Sequence, residues 1–257
     1  MKKVFQLSIL LVFLSACSNN EVNNMSGTTE KSKVTSSQTK QSTRESSIAY
    51  STVSGEKETQ FDAGTLLTAV EQNDLTLVKD IVSSKTYNIN EQNEKGETPL
   101  LIATHNNQVD IAKVLIDAGA DVNKQDNIED SAYLYAAAQG KTEILSYILK
   151  HATPNQTVYN RFGGNAIIPA AEKGHLENVK LLLKDGKVDI NHQNDYGYTA
   201  LIEAVALRDG SKVYQQIVSE LLKNGADKTL KDNSGRTAED YASQLGYETI
   251  LKLLKQY

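Results

Sequence analysis

The chain has 257 residues, 39 % hydrophobic and 23 % charged, with a formal net charge of −5. Four Phe, no Trp and one Cys leave an aliphatic core as the kind available and exclude an internal disulfide framework or a multi-thiolate metal site. The acidic balance argues against nucleic acid, whose phosphates need a clustered basic surface.

Residues 1–16 read as a targeting segment, with Lys2 and Lys3 ahead of an apolar stretch from Val4 to Leu14. That stretch is shorter than the roughly 20 apolar residues a spanning helix needs. It ends in Leu14-Ser15-Ala16-Cys17, which resembles the lipobox of bacterial lipoproteins. The resemblance implies a diacylated Cys17 thiol and removal of the peptide before it. Two acyl chains anchor stably, at about 0.8 kcal/mol per buried methylene. The expected location is the outer face of the bacterial cytoplasmic membrane, or the cell surface or periplasm.

Residues 17–60 are expected to be the lipidated cysteine and a disordered tether. Of the 43 residues from 18 to 60, seventeen are Ser or Thr, and five acidic side chains balance five basic ones. Such a segment buries too little apolar surface to offset chain entropy. As a flexible coil its ends would lie roughly 35–40 Å apart.

Self-similarity begins near Phe61. The phrase Thr98-Pro99-Leu100-Leu101-Ile102-Ala103 has counterparts starting at Gly64, Ser131, Asn165, Thr199 and Thr237, with successive spacings of 34, 33, 34, 34 and 38 residues. A second phrase, Ala118-Gly119-Ala120-Asp121-Val122-Asn123, returns as Gly225-Ala226-Asp227 and, degraded, as Val188-Asp189-Ile190-Asn191. In these features the chain resembles an ankyrin-repeat protein. The resemblance covers about 195 residues and divides 61–257 into repeats at roughly 61–90, 91–123, 124–155, 156–191, 192–228 and 229–257. It implies an all-α solenoid of about six helix-turn-helix repeats with short β-hairpin-like fingers.

The residues carry a physical logic of their own. Pro99 suits a first helical turn, where its missing N–H costs nothing. Leu100 and Ala103, then Ile111, Val114 and Leu115, recur at helical spacing and mark buried sides. Asn107, Gly140, Gly174 and Gly246 stand between the two helices, where a tight turn needs positive φ. A single unit of this length cannot bury its own apolar face, so stacked units must share a core. The end units are polar where the others are apolar, as capping units should be. The 38-residue spacing predicts a longer interhelix loop around Leu207 to Ser211 in the fifth unit. Glu129 stands at the glycine position of the third unit's finger, so a distorted tip is expected there.

Little chemistry is visible. Gly140-Lys141-Thr142 lacks the first glycine of a phosphate loop, the position being Tyr135, and reads as an interhelix turn. Glu172, Lys173 and His175 could form an acid/base cluster, but His175 sits where the family commonly uses imidazole to bond backbone. His105, His151 and His192 lie in different units without metal-ligand spacing. No nucleophile elbow or paired carboxylates are identifiable, so no enzyme, metal or cofactor is expected.

A binding surface remains. The resemblance implies docking on the concave side, formed by finger tips and first helices. The candidate positions are Glu94, Lys95 and Glu97 in the second unit and Asn127 and Ile128 in the third. Arg161 and Phe162 follow in the fourth, Asp195, Tyr196 and Tyr198 in the fifth, and Arg236 in the sixth. Arg and Tyr are enriched at interface hot spots. Phe162 and Tyr198 serve equally well as finger-to-finger packing, whereas Arg161 and Tyr196 are favoured for recognition. The repeat region carries 27 acidic and 20 basic residues, which favours a partner with positive patches.

The segments around Tyr133, Arg161 to Ala170 and Gly197 to Ala204 are similar to an exported bacterial group of ankyrin proteins. The expectation is a lipid-anchored monomer that binds a protein partner. Two alternatives stay open: an accessory or protective factor for an exported enzyme, or a hydrolase or glycan-binding protein with an unrecognised site.

Overall fold

The computed structural model describes residues 60–257, so the targeting segment, Cys17 and nearly all of the tether lie outside the described residues. From residue 65 onward, twelve α-helices follow one another with no strand among the described residues. They fall into six pairs: α1 (Thr65–Glu71) with α2 (Leu75–Ser83), α3 (Pro99–His105) with α4 (Val109–Asp117), and α5 (Ala132–Ala138) with α6 (Thr142–His151). The remaining pairs are α7 (Ile167–Glu172) with α8 (Leu176–Asp185), α9 (Ala200–Ala206) with α10 (Lys212–Lys223), and α11 (Ala238–Leu245) with α12 (Glu248–Gln256). First helices pack on first helices and second helices on second helices along the stack, giving two layers with one core between them.

That core is aliphatic, as the composition requires. Leu66, Ile81, Leu100, Ile111, Leu115, Ile144, Ile167, Leu182, Leu201, Leu221 and Ile250 are buried in one contiguous cluster. Alanines at 69, 103, 136, 137, 170, 171, 204 and 242 are also fully buried. They let the short first helices approach closely. Tyr133 and Tyr241 are the aromatic exceptions in the same cluster, and burial pushes the Tyr133 hydroxyl up to about 12.

The repeated phrase explains the helix starts. The hydroxyls of Thr98, Ser131 and Thr199 accept the amides of Leu101, Leu134 and Ile202 at 3.1–3.2 Å. Thr237 forms a full capping box with Asp240. Two units depart. Asn165 sits at the capping position but donates instead to the Asp189 carbonyl at 2.8 Å, leaving α7 without a side-chain cap. In the first unit Gly64 has no side chain, and Glu91 substitutes from 27 residues away, accepting the Gly64 and Leu67 amides at 2.7 and 3.2 Å.

The second phrase is explained as well. Asp121 and Asp189 each accept the amide two residues on, closing a short turn. Asn90, Asn123 and Asn191 then reach across, accepting the amides of Asp121, Asn155 and Asp227 at 2.7–2.8 Å. Each of these asparagines therefore ties its unit to the next.

The 38-residue spacing resolves partly as expected, in a longer loop, and partly in the helix that follows. The loop of the fifth unit, residues 207–211, is only two residues longer than its three-residue counterparts, and α10 takes up the rest at 12 residues against 9 or 10 in α2, α4, α6 and α8. Tyr247 of the last unit donates its hydroxyl to the Arg208 carbonyl and holds this loop.

Candidate functional site

Five fingers project between successive helix pairs, and each is folded by the same device. The first residue is Asn or Asp: Asn93, Asp126, Asn160, Asn194 and Asp232. Its side-chain oxygen accepts two amides from across the turn, at 2.8–3.0 Å. Its own amide donates to the carbonyl of the fifth residue, closing the hairpin. The fourth residue adopts positive φ throughout, as Gly96, Glu129, Gly163, Gly197 and Gly235.

Neighbouring fingers are joined edge to edge. The amide of the second residue donates to the carbonyl of the third residue in the preceding finger: Asn127 to Lys95, Asp195 to Phe162 and Asn233 to Tyr196, at 2.9–3.0 Å. The joint between the Asp126 and Asn160 fingers lacks this bond. Its glycine position is Glu129. At Gly96 and Gly197 a Cβ would meet the next finger's backbone nitrogen at 2.9 and 2.7 Å. Glu129 carries that Cβ, so the Asn160 finger stands off, and the Arg161 guanidinium bridges to the Ile128 carbonyl at 3.3 Å instead. The tip itself is not distorted: Glu129 takes a φ of 63° and the Asp126 loop closes normally. The departure falls on the joint.

The candidate residues separate into two groups. Ile128, Phe162 and Tyr196 are the third residues of three consecutive fingers and share the ridge of finger tips. Ile128 is 53 % and Tyr196 40 % exposed. Phe162 is half-buried, with the Arg161 guanidinium 5.1 Å from its ring centre. Glu94, Lys95, Asn127 and Asp195 are exposed along the same ridge.

The other candidates turn toward the first helices. Glu97 pairs with His105 at 3.1 Å, and burial holds the imidazole below its usual range. Tyr198 meets the Tyr241 hydroxyl at 3.3 Å. Arg236 lies 4.4 Å from the Tyr241 ring centre and donates to Ser234. Arg161 belongs partly here, with Asp130 3.7 Å away.

The fourth and fifth units bring together two carboxylates that no sequence spacing connects. Glu172 closes α7, Glu203 sits in the middle of α9, and Arg208 from the loop after α9 pairs with Glu172. Glu203 is 6 % exposed; burial, with the Glu172 charge adding to it, pushes its carboxyl up to about 8. One oxygen accepts from Asn194 at 3.1 Å and the other has no hydrogen-bond partner. Burial also raises Glu172, opposed by Arg208. Glu203 is the more enclosed of the two, while Glu172 is only partly buried. His175 behaves as the sequence suggests, bonded to the Ala138 backbone. The signal for Glu203 was one acidic residue inside the apolar phrase Ala200-Leu201-Ile202-Glu203-Ala204.

Among the described residues no group of three His, Cys, Asp or Glu is placed to hold a metal ion, and no helix is long and apolar enough to cross a membrane.

Comparison with known proteins agrees with this architecture. The family described as ankyrin repeats (3 copies) matches residues 66–158, 154–232 and 170–257. The putative ankyrin repeat protein YahD of Escherichia coli K12 is 38 % identical over 188 residues, 73 % of this chain and 92 % of that protein. The crystal structure of the ankyrin repeat protein EF0377 superimposes with a TM-score of 0.76 at 61 % identity, covering 77 % of this chain and all of the other. An ankyrin repeat domain from Acinetobacter baumannii AYE gives a TM-score of 0.72 at 47 % identity over 76 % of this chain and 98 % of its own. With the family spanning residues 66–257, the chain belongs to the ankyrin-repeat proteins.

Proposed function

We propose that this protein is a non-catalytic binding module, held outside the cytoplasmic membrane by a lipidated Cys17 and displayed on the Ser/Thr-rich segment that follows. Its recognition surface is the ridge of finger tips with the adjoining inner wall. The observation that carries the reading is the exposure of Ile128 and Tyr196 on projecting fingers held in shape by their Asn or Asp turns. Exposed apolar side chains on a rigid scaffold are the usual anchors of a protein interface. Anchoring rests on the Leu14-Ser15-Ala16-Cys17 motif and the apolar run before it.

Both halves are testable in cells. A photo-crosslinking residue at position 196 of the full chain should trap a partner that the same residue at position 110, on the second-helix side, does not. Untagged full-length protein should compete the crosslink away, and its Tyr196→Ser form should compete poorly. Equal trapping from both positions would remove the proposed surface. Cys17→Ala should release the protein from the membrane fraction and abolish incorporation of labelled fatty acid; retention of both would remove the anchor.

A further inference from the structure

At three joints the second residue of a finger leans over the glycine of the finger before it. A Cβ on Gly96 would lie 2.7 Å from the Asn127 Oδ1, one on Gly197 2.7 Å from the Asn233 Oδ1, and one on Gly163 would meet the Asp195 carboxylate. The amides of Asn127, Asp195 and Asn233 also make the same main-chain bond, so the three side chains share one seat. The two asparagines use it alike. The Asn127 Nδ2 donates to the Glu94 carbonyl at 3.0 Å, and the Asn233 Nδ2 donates to the Asp195 carbonyl at 2.8 Å. In each case the acceptor is the second residue of the preceding finger.

Asp195 breaks this pattern. The carbonyl that falls to it is that of Arg161, and a carboxylate has no hydrogen to give. Among the described residues nothing donates to the Arg161 carbonyl, and no donor or cation engages the Asp195 carboxylate. Two acceptors therefore stand where the neighbouring joints set a donor against an acceptor. Asp195 is exposed, so a donor arriving from outside can reach it.

The basic side chains of the neighbouring fingers are committed elsewhere. The Arg161 guanidinium turns to the finger before, with the Ile128 carbonyl at 3.3 Å and Asp130 at 3.7 Å, and lies 5.1 Å from the Phe162 ring centre. Arg236 lies over Tyr241 and donates to Ser234, and the charge of Lys231 acts on Asp240. The fingers that begin at Asn160 and Asp232 thus each carry an arginine placed over an aromatic ring. The finger from Asn194 to Tyr198 has two aromatic residues and an acid but no basic residue. Tyr196, next to Asp195, is 40 % exposed, and among the described residues no cation lies over its ring.

We propose that the joint between the Asn160 and Asn194 fingers takes an arginine side chain of a protein partner. Its guanidinium donates to the Asp195 carboxylate and the Arg161 carbonyl, and its flat face lies on the Tyr196 ring. A guanidinium suits this seat better than an ammonium because its fixed fork serves two acceptors while its plane stacks on an aromatic ring. The excess of acid in the repeat region, 27 residues against 20 basic ones, draws a cationic partner in. This deepens the reading of the finger tips as a protein-binding surface and rests on it.

The test uses the full chain in detergent and a blocked glycine–arginine–glycine tripeptide, followed by saturation-transfer NMR. Binding should be saturable, with a Kd of about 1 mM. Asp195→Asn restores the residue type of positions 127 and 233 and brings its own donor for the Arg161 carbonyl, so it keeps the finger folded. It should weaken binding about fivefold or more. Tyr196→Ser should weaken it about threefold, while Leu245→Ser, an exposed control, should leave it unchanged. Citrulline in place of the peptide's arginine should abolish binding, and lysine should bind more weakly. No binding, equal binding by the Asp195→Asn variant, or lysine binding as tightly as arginine would overturn the proposal. Displacement of the peptide by millimolar calcium at constant ionic strength would also overturn it, by making the two acceptors a metal-ion site. The crosslink from position 196 separates the two levels, with untagged full-length Asp195→Asn as competitor. Competition as strong as the parent's, with Tyr196→Ser still competing poorly, would keep the surface and remove the arginine seat.

Discussion

A Cβ placed on Gly197 would lie 2.7 Å from the backbone nitrogen of Asn233 in the next finger. The closeness is the geometry of the joint itself, since the Asn233 amide donates to Tyr196 at 3.0 Å. Gly197 is thus required twice, once for its φ of 76° and once for lack of bulk. Gly235 in the last finger has a similar φ of 81° but nothing within 4 Å of the Cβ position. Gly235→Ala should cost about 1–2 kcal/mol from backbone strain alone, and Gly197→Ala should cost about 1–3 kcal/mol more from the clash. Urea unfolding of the two variants measures the difference; equal costs would mean the fingers yield freely.

Glu129 offers the converse change. Glu129→Gly removes the left-handed strain, worth about 1–2 kcal/mol, against an entropic loss of about 0.4–1 kcal/mol in the unfolded chain. It also lets the Asn160 finger close. The variant should be more stable by about 1 kcal/mol, and the Arg161 amide should become protected from hydrogen exchange as it bonds to Ile128. A stabilised variant with an unprotected Arg161 amide would show that the standoff has another cause.

Glu203 makes stability fall with pH. Its carboxyl is raised in the folded chain from 4.5 to about 8, so it is held neutral when folded and ionises when unfolded. Its contribution is complete below about pH 4.5, declines through the interval and is lost above about pH 8. Glu203→Gln keeps the neutral group at every pH. Relative to the parent it should match at pH 5 and gain about 2–4 kcal/mol by pH 8.5, since each tenfold change in proton affinity is worth about 1.4 kcal/mol. Chemical denaturation across that range should show the two curves diverging; parallel curves would place a charged carboxylate in the inner wall.

The first helix depends on a cap borrowed from the segment leading into the following finger. Glu91→Ala removes the acceptor for Gly64 and Leu67 and the partner of the Tyr87 hydroxyl, 2.8 Å away. The local cost should be about 1–2 kcal/mol, seen as faster hydrogen exchange in α1 with little change in α5 or α9. Uniformly faster exchange would mean that the first unit is integral to global stability.

Much of the fold was legible because it repeats. Thr98, Thr199 and Thr237 recur in phase and cap helices, and Gly140, Gly174 and Gly246 recur where φ is positive. Local backbone preference and helical periodicity act over a few residues, so a linear string displays them. Glu129 at a turn was visible as a departure, whereas Asn165 read as one more counterpart of the capping phrase. What each residue does was not visible, because Asn165 bonds Asp189 24 residues away and Glu129 acts on a finger it never adjoins in sequence.

The sequence alone determined the six units, the helix-start phrase, the aliphatic core and the finger positions, since all of these follow from short-range pattern and the need of each unit for a neighbour. Tertiary structure decided which finger residues stay free and which are consumed. Ile128 and Tyr196 remain at the surface; Tyr198, Arg236 and Glu97 are engaged by side chains of the inner wall, and Glu203 meets Glu172 there. Exposure and charge depend on what the next unit brings within a few ångströms, and a repeat some 33 residues distant in the chain leaves no local mark of where its side chains will point.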